Sequence, residues 1–324
     1  MNAAIYILTQ NNLERKIYLK TTLYFLFKNF NSKYKYPVII LHEGDYDRDS
    51  KNEILASIRV ECVNLVSFCE LDKEDFQVPK NIDIDKMNKL IDSNPVPYWR
   101  NVKYRIMCNF WINHFFKYCN KYEYIMRLDD DSIIEEPINI DLFKLMKEKD
   151  FNYISNILHV DCGICNYEMK DFFSNIIPDK KEIISKNFAN VTININDSKF
   201  ENIKKFHELL KGEVYNKDSI EVPMPIMYYN NFFITKKSIW NDSNIKSIIN
   251  EINKKGYVFY CRWGDAPIHT MLMKLYDNTK IGKCDFKYSK RLQRESFKDN
   301  NGVYHRYMPQ LYSNNSCISN NIKK

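Results

Sequence analysis

The chain has 324 residues, of which 44% are hydrophobic and 27% are charged, and these fractions are typical of a globular protein rather than a disordered or fibrous one. Its formal net charge of +7 comes from 48 basic and 41 acidic residues. Because the basic residues are scattered and not massed in one patch, nucleic acid binding is disfavoured, and small anionic partners such as nucleotides are favoured.

Cysteines and apolar runs exclude two further classes of protein. The nine cysteines are an odd number, and Cys162 and Cys165 form the only C-x-x-C pair, so neither a disulfide framework nor a zinc ribbon is predicted. No apolar run reaches the ~20 residues of a membrane span, and the chain starts on a strand-like run instead of a secretory leader. We therefore expect a cytoplasmic protein, and the Lys-, Asn- and Ile-rich composition is consistent with a viral origin.

Strand-like and helix-like segments alternate through the first part of the chain. Apolar runs at residues 3–9, 37–41 and 60–68 predict strands, and the helical spacing of apolar residues over 13–30 predicts the first intervening helix. This alternation is typical of an α/β fold with a mainly parallel sheet covered by helices. In such sheets, ligands bind beyond the carboxyl ends of the strands.

The later segments continue the pattern around a polar insertion. After a loop-rich excursion at 78–97 with one short helix, helices are predicted at 100–118, 142–149, 238–254 and 267–276, and strands at 122–128, 151–157, 227–235 and 257–260. Residues 171–218 are polar, and we interpret them as a peripheral insertion near the cleft with two or three weak helices. A single domain over 1–312 and a disordered tail at 313–324 are therefore predicted.

Three consecutive acids, Asp129, Asp130 and Asp131, follow directly on the apolar run 122–128. In an extended chain, Asp129 and Asp131 point to the same side, two strand rises of ~3.3 Å apart. Three like charges at this spacing repel each other, and a divalent cation removes that conflict. Oxygen ligands select Mn²⁺ or Mg²⁺, and such ions keep positions open for diphosphate oxygens. A solvated acidic turn is the alternative, but a position just after a buried strand favours the metal site.

A second informative block lies at residues 257–269. Asp265 stands just before Ala-Pro, which is typical of a helix N-cap. Arg262 and Trp263 beside the predicted helix start would provide a platform for a phosphate and a sugar. His269, one turn inside the helix, is more typical of a packing histidine than of a ligand.

Three segments resemble, in their order and spacing, the fungal Golgi α-1,2-mannosyltransferases of glycosyltransferase family 15. The family's WRVEPD is matched by MRLDDD at 126–131, its SYRxMCxF by KYRIMCNF at 103–110, and its FFYERWGDAPVH by VFYCRWGDAPIH at 258–269. The RWGDAP run is highly specific, and the similarity extends from about residue 3 to about residue 309.

The resemblance implies a GT-A-type nucleotide-sugar-binding fold with a mixed, mainly parallel central sheet. It also implies Mn²⁺-dependent transfer of mannose from GDP-mannose, with retention, to a glycan or glycoprotein acceptor. Asp129 stands at the family's metal-binding Glu, and Asp131 stands at the last acid of the same motif. The family's second metal ligand, a histidine in a late YHxP segment, is matched by His305 in YHRYMP at 304–309 when a loop insertion is allowed.

The same resemblance assigns the donor-binding and catalytic positions. Tyr104 stands at a tyrosine near the donor phosphate and the reacting sugar, and Asp265 stands at an acid of the active-site cleft, so both are assigned to catalysis. Tyr104, Arg105, Arg262 and Trp263 are assigned to donor binding.

Two positions depart from the family pattern. The family's proposed nucleophile is the Glu of SNFEI, and the matching NNFFI at 230–234 places Phe233 there; the Glu before Arg-Trp is replaced by Cys261. Catalysis then proceeds by front-face attack assisted by the departing phosphate, or through another acid, or the activity is weak or altered. A different sugar donor, a protein that binds without turnover, and a basic nucleic-acid-binding protein are the alternatives that these departures and the net charge leave open.

Overall fold

The computed structural model describes residues 1–196 and 200–290, together with the backbone of two strands at 294–298 and 304–307. The strands in chain order are β1 (Ala3–Leu8), β2 (Val38–His42), β3 (Val66–Glu70), β4 (Tyr124–Leu128), β5 (Ser132–Ile134), β6 (Tyr153–Ser155), β7 (Leu158–Val160), β8 (Phe188–Asn194), β9 (Ser219–Tyr228), β10 (Phe232–Lys236), β11 (Ile281–Lys283), β12 (Tyr288–Lys290), β13 (Arg294–Lys298) and β14 (Tyr304–Tyr307).

The α-helices are α1 (Leu13–Leu26), α2 (Ser32–Tyr34), α3 (Arg48–Leu55), α4 (Val60–Val63), α5 (Ile84–Ser93), α6 (Val102–Asn113), α7 (Leu142–Glu148), α8 (Met169–Ile176), α9 (Lys181–Lys186), α10 (Glu201–Lys211), α11 (Ser243–Lys255), α12 (Tyr257–Tyr260) and α13 (Asp265–Asp277). Several begin at a side chain that caps the first turn; Asn12, for example, accepts a hydrogen bond from the backbone N–H of Arg15 at 2.9 Å. Within the described residues, no helix is both long enough and apolar enough to cross a bilayer.

The central sheet of the described chain has seven strands in the order β11-β6-β10-β4-β1-β2-β3. β10 runs antiparallel to its neighbours β4 and β6, whereas the other pairs are parallel. The predicted mixed, mainly parallel sheet is therefore confirmed. The strand order reverses at β1, which lies between β2 and β4, and a crevice for a ligand is expected beyond the carboxyl ends at such a point. The acidic triplet directly follows β4 at this edge.

Alternate residues of the central strands face two separate hydrophobic cores, which explains why the strands are apolar almost throughout. Tyr6 in β1, Ile125 in β4 and Phe233 in β10 pack into the first core, and their neighbours Ile5 and Met126 pack into the second. The first core lies under α6 and α13, and its side of the sheet carries the candidate site described below.

The segment 171–218 is more integrated than a peripheral insertion. It contributes α9, α10 and β8 and most of α8, and its buried residues Phe173, Ile184 and Phe206 belong to the same hydrophobic core as Trp111 of α6. Its apolar residues are sparse, yet they recur at helical spacing, and each helix buries its apolar face. Residues 313–324, predicted as a tail, lie outside the described residues.

Three predicted strands differ in the structure. Residues 257–260 form a short helix, because Gly256 ends α11 in the left-handed conformation (φ +69°) and the next turn bonds back to it, with the N–H of Tyr260 donating to the Gly256 carbonyl at 3.0 Å. The run 60–68 divides into α4 and the start of β3, and 227–235 divides between β9 and β10. Aromatic and β-branched residues suit either structure when buried, so the apolar pattern alone does not distinguish them.

Candidate active site

The acidic triplet forms a tight turn at the end of β4. The N–H of Asp129 donates to the carbonyl of Asn231 at 2.9 Å, and the N–H of Ser132 donates back to the carbonyl of Asp129 at 3.0 Å. The prediction that Asp129 and Asp131 share one side of an extended strand is therefore wrong, because the chain turns at these residues. Each of the three carboxylates instead pairs with a basic side chain, Asp129 with Arg127 and both Asp130 and Asp131 with Arg15.

Arg127 joins the two acidic regions that the sequence singled out. Its Nε donates to Asp129 Oδ1 at 2.9 Å, and its Nη1 donates to Asp265 Oδ2 at 2.5 Å. Asn230, in the loop before β10, donates its side-chain amide to the same Asp265 oxygen at 2.7 Å. The guanidinium lies 3.7 Å from the ring centroid of Trp111, so its remaining face is covered. The structure therefore brings Asp129 and Asp265 to opposite edges of one buried guanidinium.

The charges of this group stabilise one another. Burial alone would lower the pKa of Arg127, but Asp129 and Asp265 raise it above its ordinary value. Burial alone would raise the pKa of Asp265, but Arg127 holds it below the ordinary range, so Asp265 is ionised at neutral pH. Burial does raise the pKa of Asp129, although Arg127 opposes this. A further cation beside Asp129 would therefore be favoured.

Asp130 anchors the turn and is not itself exposed to a ligand. It is fully buried, and its carboxylate accepts hydrogen bonds from Thr9 Oγ1 at 2.7 Å and from Arg15 Nε at 2.8 Å. Its carbonyl accepts from Thr22 Oγ1 at 2.8 Å. Burial raises the pKa of Asp130 to about 7, although Arg15 opposes this. These hydrogen bonds connect the turn to the residue that follows β1 and to two positions along α1.

Asp131 is buried between two basic side chains. Its carboxylate lies 3.5 Å from Arg15 Nη1 and 3.7 Å from Lys290 Nζ. Within the described residues, no group of three or more His, Cys, Asp and Glu side chains is arranged to hold a metal ion. Asp129 and Asp131 supply carboxylate oxygens, which are the ligands that Mn²⁺ and Mg²⁺ prefer, and further oxygens such as those of a diphosphate would have to complete the coordination. Their assignment as metal ligands stays a prediction.

A second ion pair lies beside Tyr104. Arg262 Nη2 donates to both carboxylate oxygens of Asp161, at 3.0 and 3.1 Å, and the guanidinium carbon lies 5.6 Å from the Tyr104 ring centroid. Arg262 has φ +63°, a conformation that costs about 1–2 kcal/mol for a residue with a side chain. Cys108 and burial raise the pKa of Tyr104 well above its ordinary value, so its hydroxyl stays protonated as a donor.

Two residues assigned to donor binding lie in the core instead. Arg105 is fully buried and donates to the carbonyls of Phe259 and Trp99 at 2.9 and 3.1 Å. Trp263 is also fully buried, and its indole N–H donates to the carbonyl of Tyr167 at 2.9 Å. Neither side chain is brought to the site, because each satisfies backbone groups beneath it. Their function in the structure is packing.

The remaining predicted positions have mixed outcomes. Asp265 is the first helical residue of α13 and Gly264 is the N-cap, so Asp265 contacts Arg127 instead of capping the helix. His305 lies in β14, whose side chains are outside the described part of the structure, and its assignment as a metal ligand stays a prediction. Three site residues were missed, namely Arg15, Asn230 and Asp161. Arg127 was quoted only within a motif, although a lone basic residue in a buried strand requires a partner.

Phe233 occupies a position under the guanidinium of Arg127. Its ring is fully buried, stacks on Tyr153 with centroids 5.2 Å apart, and meets His269 edge to face at 5.8 Å. The guanidinium carbon of Arg127 lies 6.0 Å from the Phe233 centroid. A phenyl group here can pack and can attract the cation, but it cannot act as a nucleophile or as a proton carrier.

His269 is a packing histidine, as predicted, and it gives the protein a measurable pH dependence. Its Nε2 lies 3.2 Å from the Trp111 carbonyl, and burial lowers its pKa to about 4. In the unfolded chain the value is about 6.5, so between these two pH values only the unfolded state binds the proton. The free energy of unfolding is therefore expected to fall by on the order of 3 kcal/mol as the pH is lowered from 6.5 to 4.

His269→Gln keeps a donor for the Trp111 carbonyl but does not titrate. Urea unfolding of both proteins between pH 7 and pH 4, at constant ionic strength, measures the contribution of this residue. The stability advantage of the wild-type protein over the variant should shrink toward pH 4. If the free energies of unfolding of the two proteins changed in parallel with pH over this range, the assignment of a neutral buried imidazole would be contradicted.

Comparisons with known proteins identify the family to which the chain is similar. A family model described as glycolipid 2-alpha-mannosyltransferase matches residues 1–283. O-glycoside alpha-1,2-mannosyltransferase omh1 of Schizosaccharomyces pombe is 26% identical over 254 residues, which are 77% of this chain and 58% of the relative. Glycolipid 2-alpha-mannosyltransferase 1 of Candida albicans is 25% identical over 252 residues, which are 76% of this chain and 52% of the relative. The chain thus spans about half the length of these curated relatives.

Two solved structures have the same fold. Core-mannan synthase A of Aspergillus fumigatus, in its Mn/GDP form, superposes with a TM-score of 0.69 at 18% identity, over 89% of this chain and 74% of that one. The mannosyltransferase Ktr4p of S. cerevisiae, in complex with GDP, superposes with a TM-score of 0.70 at 19% identity, over 89% of this chain and 71% of that one. The predicted GT-A-type fold is therefore confirmed.

Proposed function

The chain belongs to the glycolipid 2-alpha-mannosyltransferase family, and we propose from that premise that it transfers mannose from GDP-mannose to a glycan or glycoprotein acceptor. The proposed reaction requires Mn²⁺, retains the configuration at the anomeric carbon and forms an α linkage. The observation that carries this proposal is the bridge that Arg127 makes between Asp129 and Asp265. That bridge joins Asp129, a proposed metal ligand, to Asp265, the proposed catalytic acid, beside the carboxyl end of β4, where ligands of such sheets bind.

In the proposed complex, Asp129 and Asp131 would hold the cation, and the cation would supply positive charge to neutralise the donor diphosphate and the departing GDP. Arg127 keeps the Asp129 carboxylate in place while burying its own charge between two acids. Asp265 remains ionised because Arg127 and Asn230 donate to it. A fixed carboxylate near the sugar favours the positive charge that develops at the anomeric carbon in glycosyl transfer.

Tyr104 and Arg262 are proposed to contact the phosphates of the donor. The Tyr104 hydroxyl is protonated and donates a hydrogen bond without adding charge. Arg262 already has Asp161 as a partner, so its charge is partly balanced before the donor arrives. Because Phe233 provides no nucleophile, we favour attack by the acceptor on the same face that the diphosphate leaves, with the departing phosphate accepting the proton.

The donor assignment is tested by incubating the purified protein with a panel of nucleotide sugars, with and without MnCl₂. We expect release of GDP from GDP-mannose in the presence of Mn²⁺, and little release after chelation with EDTA. Turnover of another nucleotide sugar in preference to GDP-mannose would overturn the substrate assignment and leave the fold assignment intact.

A protein that binds the donor without transferring the sugar is the second candidate function. It is favoured by one observation, the fully buried phenyl ring of Phe233 at the position where the family has a carboxylate. Calorimetry separates the two candidates. Mn²⁺-dependent binding of GDP, together with no sugar release or transfer over a broad acceptor screen, would support the binding protein over the enzyme.

A further inference from the structure

Two cavities lie along α6 and α11 and meet at Asn113. The first has a volume of about 260 Å³ and the second about 390 Å³. The first is lined on its polar side by the side chains of Asn81, Asn109, Asn113, His114 and Asn253, and we call this cavity the amide groove. None of the residues proposed above to bind the donor or the metal lines it.

The chemistry of the amide groove selects a neutral ligand. Among the described residues that line it, none is acidic and none is a lysine or arginine. Burial lowers the pKa of His114, so its imidazole is neutral at pH 7. The floor is apolar and is formed by Ile82, Ile252 and Phe259. Amide groups above an apolar floor complement a sugar ring, which presents hydroxyl groups at its edge and C–H groups on its face.

The amides are held in place before any ligand binds. Asn113 Nδ2 donates to Asn109 Oδ1 at 2.9 Å and to Asn253 Oδ1 at 3.1 Å, and Asn253 Nδ2 donates back to Asn113 Oδ1 at 2.7 Å. These bonds fix the orientation of all three side chains, so little conformational entropy is lost on binding. Asn109 is 3% exposed, and within the described residues its Nδ2 makes no hydrogen bond. This Nδ2 is therefore a donor that remains available to a ligand oxygen.

His114 adds an acceptor to these amides. Its Nδ1 lies 3.2 Å from Asp75 Oδ1, and the carboxylate fixes the proton on that nitrogen. Nε2 of the neutral ring is then left with a lone pair, which accepts a hydrogen bond from a hydroxyl group. The side chain is 30% exposed and His114 lines the groove, so the imidazole is within reach of a ligand there. Donors and an acceptor are thus present together, as recognition of adjacent hydroxyl groups requires.

The position of the groove relative to the candidate active site is set by α6. Tyr104 is in the first turn of this helix and Asn113 is its last residue. At ~1.5 Å per residue, the two positions are about 13 Å apart along the helix axis. A ligand in the groove is therefore too far away to be the reacting sugar, but its distance suits another part of an oligosaccharide.

We propose that the amide groove binds a neutral oligosaccharide, as a site for the acceptor glycan separate from the site of sugar transfer. This inference rests on the proposed function, because a glycosyltransferase acts on glycans that are longer than its reaction centre. The Asn109 amide and the His114 imidazole contact the hydroxyl groups, and Phe259 and Ile252 cover the apolar face of one sugar ring.

The test uses α-1,2-linked mannotriose as the probe and isothermal titration calorimetry of the full chain. Asn109→Leu and Asn253→Leu remove polar groups of the groove while keeping side-chain volume, and Asn244→Leu is the matched control because Asn244 is exposed on α11 and lines neither cavity. We expect each groove variant to bind mannotriose at least about 10-fold more weakly than the control. Asn109→Leu removes one acceptor of the Asn113 amide, but that amide keeps its hydrogen bond to Asn253, so the variant is expected to fold.

Binding of GDP in the presence of Mn²⁺ is measured on every variant, so that the two proposals fail separately. Equal mannotriose affinity in the control and in both groove variants would overturn the groove assignment, as would no mannotriose binding by the wild-type protein. A protein that binds mannotriose in the groove but does not bind GDP would instead overturn the proposed donor. Melting temperatures of the variants identify any loss of affinity that comes from unfolding.

Discussion

Asp131→Asn is expected to abolish the cation-dependent part of GDP binding. The substitution keeps the volume of the side chain but removes one of the two carboxylates proposed to hold the ion, while Asp129 keeps its bond to Arg127. We expect the affinity for GDP in the presence of Mn²⁺ to fall by about 100-fold or more, which corresponds to about 2.7 kcal/mol. Calorimetric titration of GDP with and without MnCl₂ measures this difference.

The matched control for this experiment is Asp150→Asn. Asp150 is an exposed carboxylate with two lysine partners, Lys236 and Lys280, and it precedes β6 at the opposite edge of the sheet. It has φ +52°, which asparagine tolerates. GDP binding by the Asp150→Asn variant should remain dependent on Mn²⁺. If Asp131→Asn also retained that dependence, the acidic turn would not be the metal site.

Arg127→Met is expected to reduce both stability and GDP binding, because it leaves Asp129 and Asp265 without their shared cation. Breaking a buried ion pair by removing one partner costs about 3–5 kcal/mol. Urea unfolding at pH 7 measures the loss. Without Arg127, burial raises the pKa of Asp265 above its value in the unfolded chain, so the variant gains relative stability as the pH falls. The difference in the free energy of unfolding between the wild-type protein and Arg127→Met should therefore narrow from pH 7 toward pH 4.

Arg127→Lys and the double variant Arg127→Met with Asp265→Asn separate charge from geometry. Lysine keeps the positive charge but cannot bond both acids with one planar group. Relative to Arg127→Met, we therefore expect Arg127→Lys to recover part of the stability and little of the GDP affinity. The double variant removes one of the two unpaired carboxylates, and we expect it to be more stable than Arg127→Met alone. Equal stability of the single and double variants would show that Asp265 does not depend on Arg127.

Much of the fold follows from the sequence, because apolar strands alternate with helices. Such strands form a sheet, and the helices pack on its two faces to make the two hydrophobic cores. The strand before Asp129 and the helix after Asp265 were predicted at the correct positions. The sequence could not show that the chain turns at the acidic triplet, since an extended and a turned backbone have the same residues. It also could not show that residues 257–260 are helical, because that depends on Gly256 and on the core below.

The site was harder to predict than the fold. Pairing of Asp129 with Asp265 through Arg127 requires contacts between distant parts of the chain, and neither helical nor strand periodicity encodes such contacts. Trp263 and Arg105 were misassigned because their residue types suit ligands, whereas in the structure both satisfy backbone carbonyls in the core. A buried carbonyl that lacks a partner is invisible in the sequence, yet it decides where a nearby donor points.

The Arg127–Asp265 bridge links residues 138 positions apart, and this has a consequence for the order of events during synthesis. A nascent chain that has not yet reached Asp265 contains the acidic turn and Arg127, but not the second acid that neutralises it. Long-range pairings of this kind form late because the intervening loop must first be ordered. The bridge is therefore expected to form only after α13 has left the ribosome, and an amino-terminal fragment that ends before Asp265 is expected to leave Arg127 with Asp129 as its acidic partner.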